Sequence, residues 1–152
     1  MTCDPHWTAY VTAIAAPIVA VIAAYIAYRQ SEIARNKLKL DLFERRMTVY
    51  EAVRKTLGKA VTSGALSFED EIQYHEGTRS AKWLFGEDVS TYLEKDFWPK
   101  LNELNLHVAM MEGADPKERS HHATKKAEVL RWFNDQYDGF DQVCRKYLIL
   151  EH

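Results

Sequence analysis

Glu118 and His121 form the one E-x-x-H spacing in the chain, which sets a carboxylate and an imidazole on one face of a helix as a possible pair of metal ligands. A di-iron bundle needs a second such pair and two more carboxylates on facing helices, and no second E-x-x-H exists. Glu103 with His107 and Glu71 with His75 sit four apart, the spacing of solvated helical pairs. His121 and His122 are adjacent and so point about 100° apart. Metal sites require convergent ligands; these residues therefore read as surface groups, with no metal and no cofactor expected. Arg145 and His152 have the arginine-to-histidine spacing of helical ribonucleases, but the histidine is terminal and Leu150-Glu151-His152 resembles the start of an expression-tag scar. Gly58-Lys59 lacks the upstream glycine and following hydroxyl of a phosphate loop.

The elements that would position these groups begin with an uncharged segment. No Lys or Arg precedes Arg29, and Trp7 to Tyr28 carries no charge. As a helix these 22 residues would span about 33 Å, against about 30 Å of hydrocarbon core. The sequence predicts a transmembrane helix; a buried core helix would be shorter and need apolar partners on every side. A cleaved signal needs a basic n-region, absent from Met1 to Tyr10. Basic residues crowd the C-terminal flank, which places residues 1–28 as a short periplasmic N-terminus and span, with the rest in the cytoplasm of a bacterium. Trp7, Tyr10, Tyr25 and Tyr28 fall where interfacial rings belong. In that topology Cys3 and Cys144 lie on opposite sides of the membrane, so they cannot pair within one chain.

At 100° per residue, Ala9, Ala13, Ala16, Ala20, Ala23, Ala24 and Ala27 share one narrow face of the span, opposite Ile14, Ile18, Val21, Ile22 and Tyr25. Small residues at four-residue spacing let helices approach closely in lipid, so self-association to a homo-oligomer is expected. Pro17 removes an amide donor mid-helix and predicts a kink. A pore is permitted by this face, although no strongly polar residue lines it.

Residues 29–64 read as a basic juxtamembrane amphipathic helix. Leu40, Phe43, Met47, Tyr50, Leu57 and Val61 follow helical steps from Ile33, and Leu38, Leu42, Val49 and Val53 widen the stripe, with Arg54 at an otherwise apolar position. Gly64 ends this helix unless Gly58 does so earlier. The net charge is plus five over residues 29–62 and minus six over residues 63–152. Arg29, Arg35, Lys37 and Lys39 would meet anionic headgroups of the bilayer, and with topology accounting for these charges, nucleic acid is given low weight. Residues 65–150 predict a cytoplasmic antiparallel helical bundle, with caps at Ser67 and Asp115, a break at Gly77, a bend at Pro99, an end at Gly113 and a pause at Gly139.

Three segments together carry a resemblance: PIVAVIAAYIAYRQ (Pro17 to Gln30), NKLKLDLFERRMTVYEAVRK (Asn36 to Lys55) and WFNDQYDGFDQVCRKYLIL (Trp132 to Leu150). They are similar to segments of a family of small single-pass bacterial inner-membrane proteins. The resemblance implies a membrane-anchored helical protein and carries over no catalytic residue. In layout alone, one span plus a small bundle is similar to membrane effectors that act beside bacterial antiviral systems. The expected function is a self-associating membrane effector or scaffold, pore-forming or signal-transmitting, with an unidentified cytoplasmic protein partner. The alternative is a membrane-tethered enzyme such as a helical nuclease or nucleotide-binding protein.

Overall fold

The computed structural model describes residues 7–149, with the backbone alone at 7–14 and 16. All regular structure is helical, and no strand occurs among the described residues, as the spacing predicts. The first helix, α1, runs from Trp7 to Ser63 without ending at Pro17. The chain divides into two units between Asp41 and Leu42.

In the first unit every described side chain is exposed. Val21 is 69% exposed and Ile22 53%, so no described residue covers them as a core helix would be covered. Among the described residues no helix is long and apolar enough to cross a membrane. The uncharged stretch with described side chains begins at Ala15 and would cover only about 21 Å by Tyr28. The earlier part of the expected span, with Trp7, Ala9, Tyr10 and Ala13, lies outside the residues whose side chains are described, as does Ala16. The transmembrane expectation therefore rests on sequence alone.

The second unit is an antiparallel four-helix bundle. After α1 come α2 (Phe68–Thr78), α3 (Ala81–Leu84) and α4 (Glu87–Thr91), then a π-helical turn (Tyr92–Phe97), α5 (Trp98–Met110) and α6 (Pro116–Leu148). Cross-contacts give the directions. Along α1, Arg46, Tyr50 and Arg54 meet Tyr147, Asp141 and Tyr137 of α6, so the two run oppositely. Lys55 and Lys59 meet Gln73 and Asp70 of α2 in the same reversed order. From the π turn into α5, Tyr92, Phe97 and His107 meet Gln136, Phe133 and His122 of α6. Glu71 of α2 reaches Asn105 of α5, while Tyr74 stacks on Phe97.

Local chemistry sets most of the ends. Gly64 takes φ +66°, a left-handed value that favours glycine, and its amide donates to the Ala60 carbonyl at 3.0 Å, closing α1. Ser67 caps α2 in a reciprocal box with Asp70. Asp115 Oδ1 accepts from the amides of Lys117 and Glu118, both at 2.9 Å, with Pro116 in the first turn of α6. Burial of Val53, Leu57, Ala60, Val89, Phe97, Leu101, Leu104, Val129, Phe133 and Phe140 forms one core.

Four expectations require correction. In α1 the buried line is Val49, Val53, Leu57 and Ala60, whereas Ile33, Leu38 and Leu40 are exposed and Phe43, Met47, Tyr50 and Val61 only half-buried. Of the residues expected to widen the stripe, Val49 and Val53 are its centre and Leu38 and Leu42 are exposed, while Leu57 of the expected stripe is buried. Gly77 does not break α2, which continues to Thr78; a Cβ there would lie 2.4 Å from that of Ala52, so glycine permits α1 and α2 to touch. Before Pro99 the chain does not simply bend. It widens into the π turn, which accommodates the amide that proline cannot supply. Finally, α6 passes through Gly139 unbroken.

Candidate functional site

A cleft of about 480 Å³, open to solvent, lies where α2 and α3 face the π turn and the start of α5. Its wall is aromatic. Tyr74 stacks on Trp98 with ring centroids 5.8 Å apart and planes 8° apart, and the His75 ring meets Trp98 edge-on at 4.2 Å. The Tyr74 hydroxyl donates to the Leu93 carbonyl at 3.3 Å, tying α2 to the π turn; burial raises its pKa well above that of a free phenol. Arg79, Lys82, Glu76 and Glu94 bring both signs of charge to the rim. The volume lies in the range of small-molecule sites, and π turns recur at functional positions because they re-aim side chains.

The hydroxyls at the cleft are tied to backbone carbonyls. The hydroxyls of Tyr74, Thr78 and Ser90 donate to the carbonyls of Leu93, Tyr74 and Glu87. His75 is engaged with rings, not with any of these hydroxyls. An activated nucleophile requires a hydroxyl or thiol held on a base, and the cleft does not present that arrangement. Cys144 is fully buried, and burial pushes its thiol up to about 12, which leaves it a neutral, inert group.

Elsewhere in the bundle, polar contacts join α1 to α2, α3 and α6, and α4 to α6. Arg46 donates from Nε to the Leu84 carbonyl at 2.7 Å and from Nη1 to the Tyr147 carbonyl at 3.0 Å, with its guanidinium 5.4 Å from the Tyr147 ring. Arg54, the charged residue in the apolar pattern, lies over Tyr137 at 4.7 Å and donates to the Tyr137 carbonyl at 3.1 Å. Its stem covers apolar surface while its head is satisfied. The Tyr50 hydroxyl donates to Asp141 at 2.6 Å, and burial together with that bond pushes it up to about 12. Asp70 is held below the usual carboxylate range by Lys59 and the Ser67 hydroxyl, and Asp88 by the Tyr147 hydroxyl and Lys146.

The groups singled out in the sequence are scattered. Glu118 and His121 are both exposed on α6, and no group of three or more His, Cys, Asp or Glu among the described residues is placed to hold a metal. Glu71 bonds Asn105. Glu103 does approach His107, at 3.9 Å. Missed altogether was a pairing of His107 with His122, whose Nδ1 atoms lie 3.1 Å apart; only the register of the α5–α6 hairpin reveals it. Of the alanine face, Ala20, Ala23, Ala24 and Ala27 are exposed. Arg29 pairs with Glu32 at 3.3 Å, and Arg29, Arg35, Lys37 and Lys39 are all exposed.

Fold and cleft define an all-helical protein with a ligand-sized recess in its bundle. No protein-family model, curated protein or solved structure matches the chain.

Proposed function

We propose that the protein is a membrane-anchored, self-associating helical effector or scaffold of the bacterial inner membrane, with the bundle in the cytoplasm. One observation carries this reading: the apolar side chains from Ile18 to Tyr28 are exposed on all sides of α1, in a stretch uncharged from Trp7 onward. Water is a poor solvent for such a surface, and lipid or another copy of the chain is what would cover it. The basic residues that follow support a cytoplasmic bundle. The exposed Ala20, Ala23, Ala24 and Ala27 are small enough for close helix approach in lipid. The bundle would report a signal or assembly state through α1, the element that both units share, and a pore is the further step that a self-associated alanine face would allow.

Cross-linking of the full-length chain in membranes tests the reading. Oligomers are expected for the native sequence and loss of them for Ala20→Ile with Ala24→Ile, since two isoleucines hold the backbones apart. Assembly unaffected by both substitutions would refute the alanine interface.

A further inference from the structure

We propose that His107 and His122 form a two-imidazole site for a first-row transition-metal ion of the zinc, nickel or copper class, with water completing the coordination. The proposal is independent of membrane anchoring. His107 is half-buried on α5 and His122 half-buried on α6, and their Nδ1 atoms face each other at 3.1 Å. Two nitrogens that share one ion, each about 2.0–2.1 Å from it, stand about 2.9–3.4 Å apart for angles between square and tetrahedral. The observed separation lies inside that interval, and the ion would enter as the two rings turn their lone pairs from each other toward it.

The opposite nitrogen of His107 faces a carboxylate beyond hydrogen-bond reach. Its Nε2 lies 3.9 Å from Glu103 Oε1, and the second oxygen of that carboxylate accepts from Lys100 at 2.6 Å. Without metal, one Nδ1 donates its proton to the other; with metal, the donor ring takes its other tautomer, its proton passing through solvent to its own Nε2, and both Nδ1 lone pairs coordinate. Imidazole suits zinc, nickel and copper better than magnesium or calcium, which take oxygen. The hairpin holds the pair in register through Gly113 at φ +74° and the Asp115 cap.

Titration of the full-length chain, free of added histidines, with Ni²⁺ or Zn²⁺ alone tests the site, and Co²⁺ absorption reads its ligands directly. One equivalent per chain is expected, lost in His122→Ala and in His107→Ala. His121→Ala should leave binding unchanged. His122→Ala, near the start of α6 and outside the buried core, is the safer variant for folding, to be checked by circular dichroism. Absence of stoichiometric uptake, or uptake that survives His122→Ala or follows His121 instead, would overturn the proposal.

Discussion

The two units of this chain use the same residue types at the same helical spacing and arrive at opposite outcomes. Before Asp41, isoleucines, valines and leucines lie exposed along α1. After Leu42, the same kinds of residue are sealed against α2, α5 and α6. The difference teaches that an apolar stripe is only a demand for a partner. In the bundle the chain supplies that partner by folding back on itself. In the first unit no described residue supplies one. Stability and anchoring should therefore separate cleanly by region.

The largest expected effect is in the bundle core. Phe97 is fully buried and meets Tyr74 and Phe133 at ring centroids of 5.5 Å, so Phe97→Ala should cost about 3–5 kcal/mol of unfolding free energy. Ile26→Ala removes a comparably apolar but exposed side chain and should leave denaturant unfolding of the bundle unchanged. Equal losses from both substitutions would erase the distinction between the regions.

A smaller effect is expected where α1 and α2 touch. Gly77→Ala puts a methyl on Ala52, and the overpacking should cost about 1–3 kcal/mol. Ala52→Gly in the same chain should recover part of the loss, less about 1 kcal/mol for a glycine inside a helix. A double variant no more stable than Gly77→Ala would show that the contact is not the cause.

The smallest effect is electrostatic. Asp70 and Asp88 have folded pKa values below their unfolded ones. Their contribution is therefore present in full above the ordinary carboxylate value, near pH 4, and is lost as pH falls through the lowered values. Acid unfolding should be less steep in Asp88→Asn than in the native chain, with the two curves parallel from pH 6 to 8. Both carboxylates pair near the surface, so the shift should shrink in high salt. Titration of the thiols offers a related check. With Cys3 replaced by serine, Cys144 should resist thiol reagents until the bundle unfolds, because it is buried and protonated.

What was legible in the sequence was local. Gly64, Ser67 and Asp115 mark ends that depend on a few neighbouring residues, and each flanks a helix; α5 ends at Met110, three residues before the expected Gly113. The register between helices was not legible, because periodicity says which face is apolar and not which neighbour covers it. That is why Val49 and Val53 prove central while Leu40 is exposed, and why Gly77 was taken for a breaker when it is a contact. The cleft depends on the π turn, which no short motif announces. Likewise, Glu71 and His75 share a helix face yet engage Asn105 and Trp98 respectively, because tertiary partners outcompete a solvated helical pair.

The central claim concerns the first unit, and site-specific labelling of the intact chain in native membranes addresses it. In a background without Cys3, single cysteines at Ile22 and Leu38 are exposed to a water-soluble thiol reagent before and after alkaline extraction. Lipid burial predicts that the cysteine at Ile22 stays unlabelled, that the one at Leu38 reacts from the cytoplasmic side, and that the protein remains in the membrane pellet. Rapid labelling at Ile22 with release of the chain into the supernatant would contradict the account.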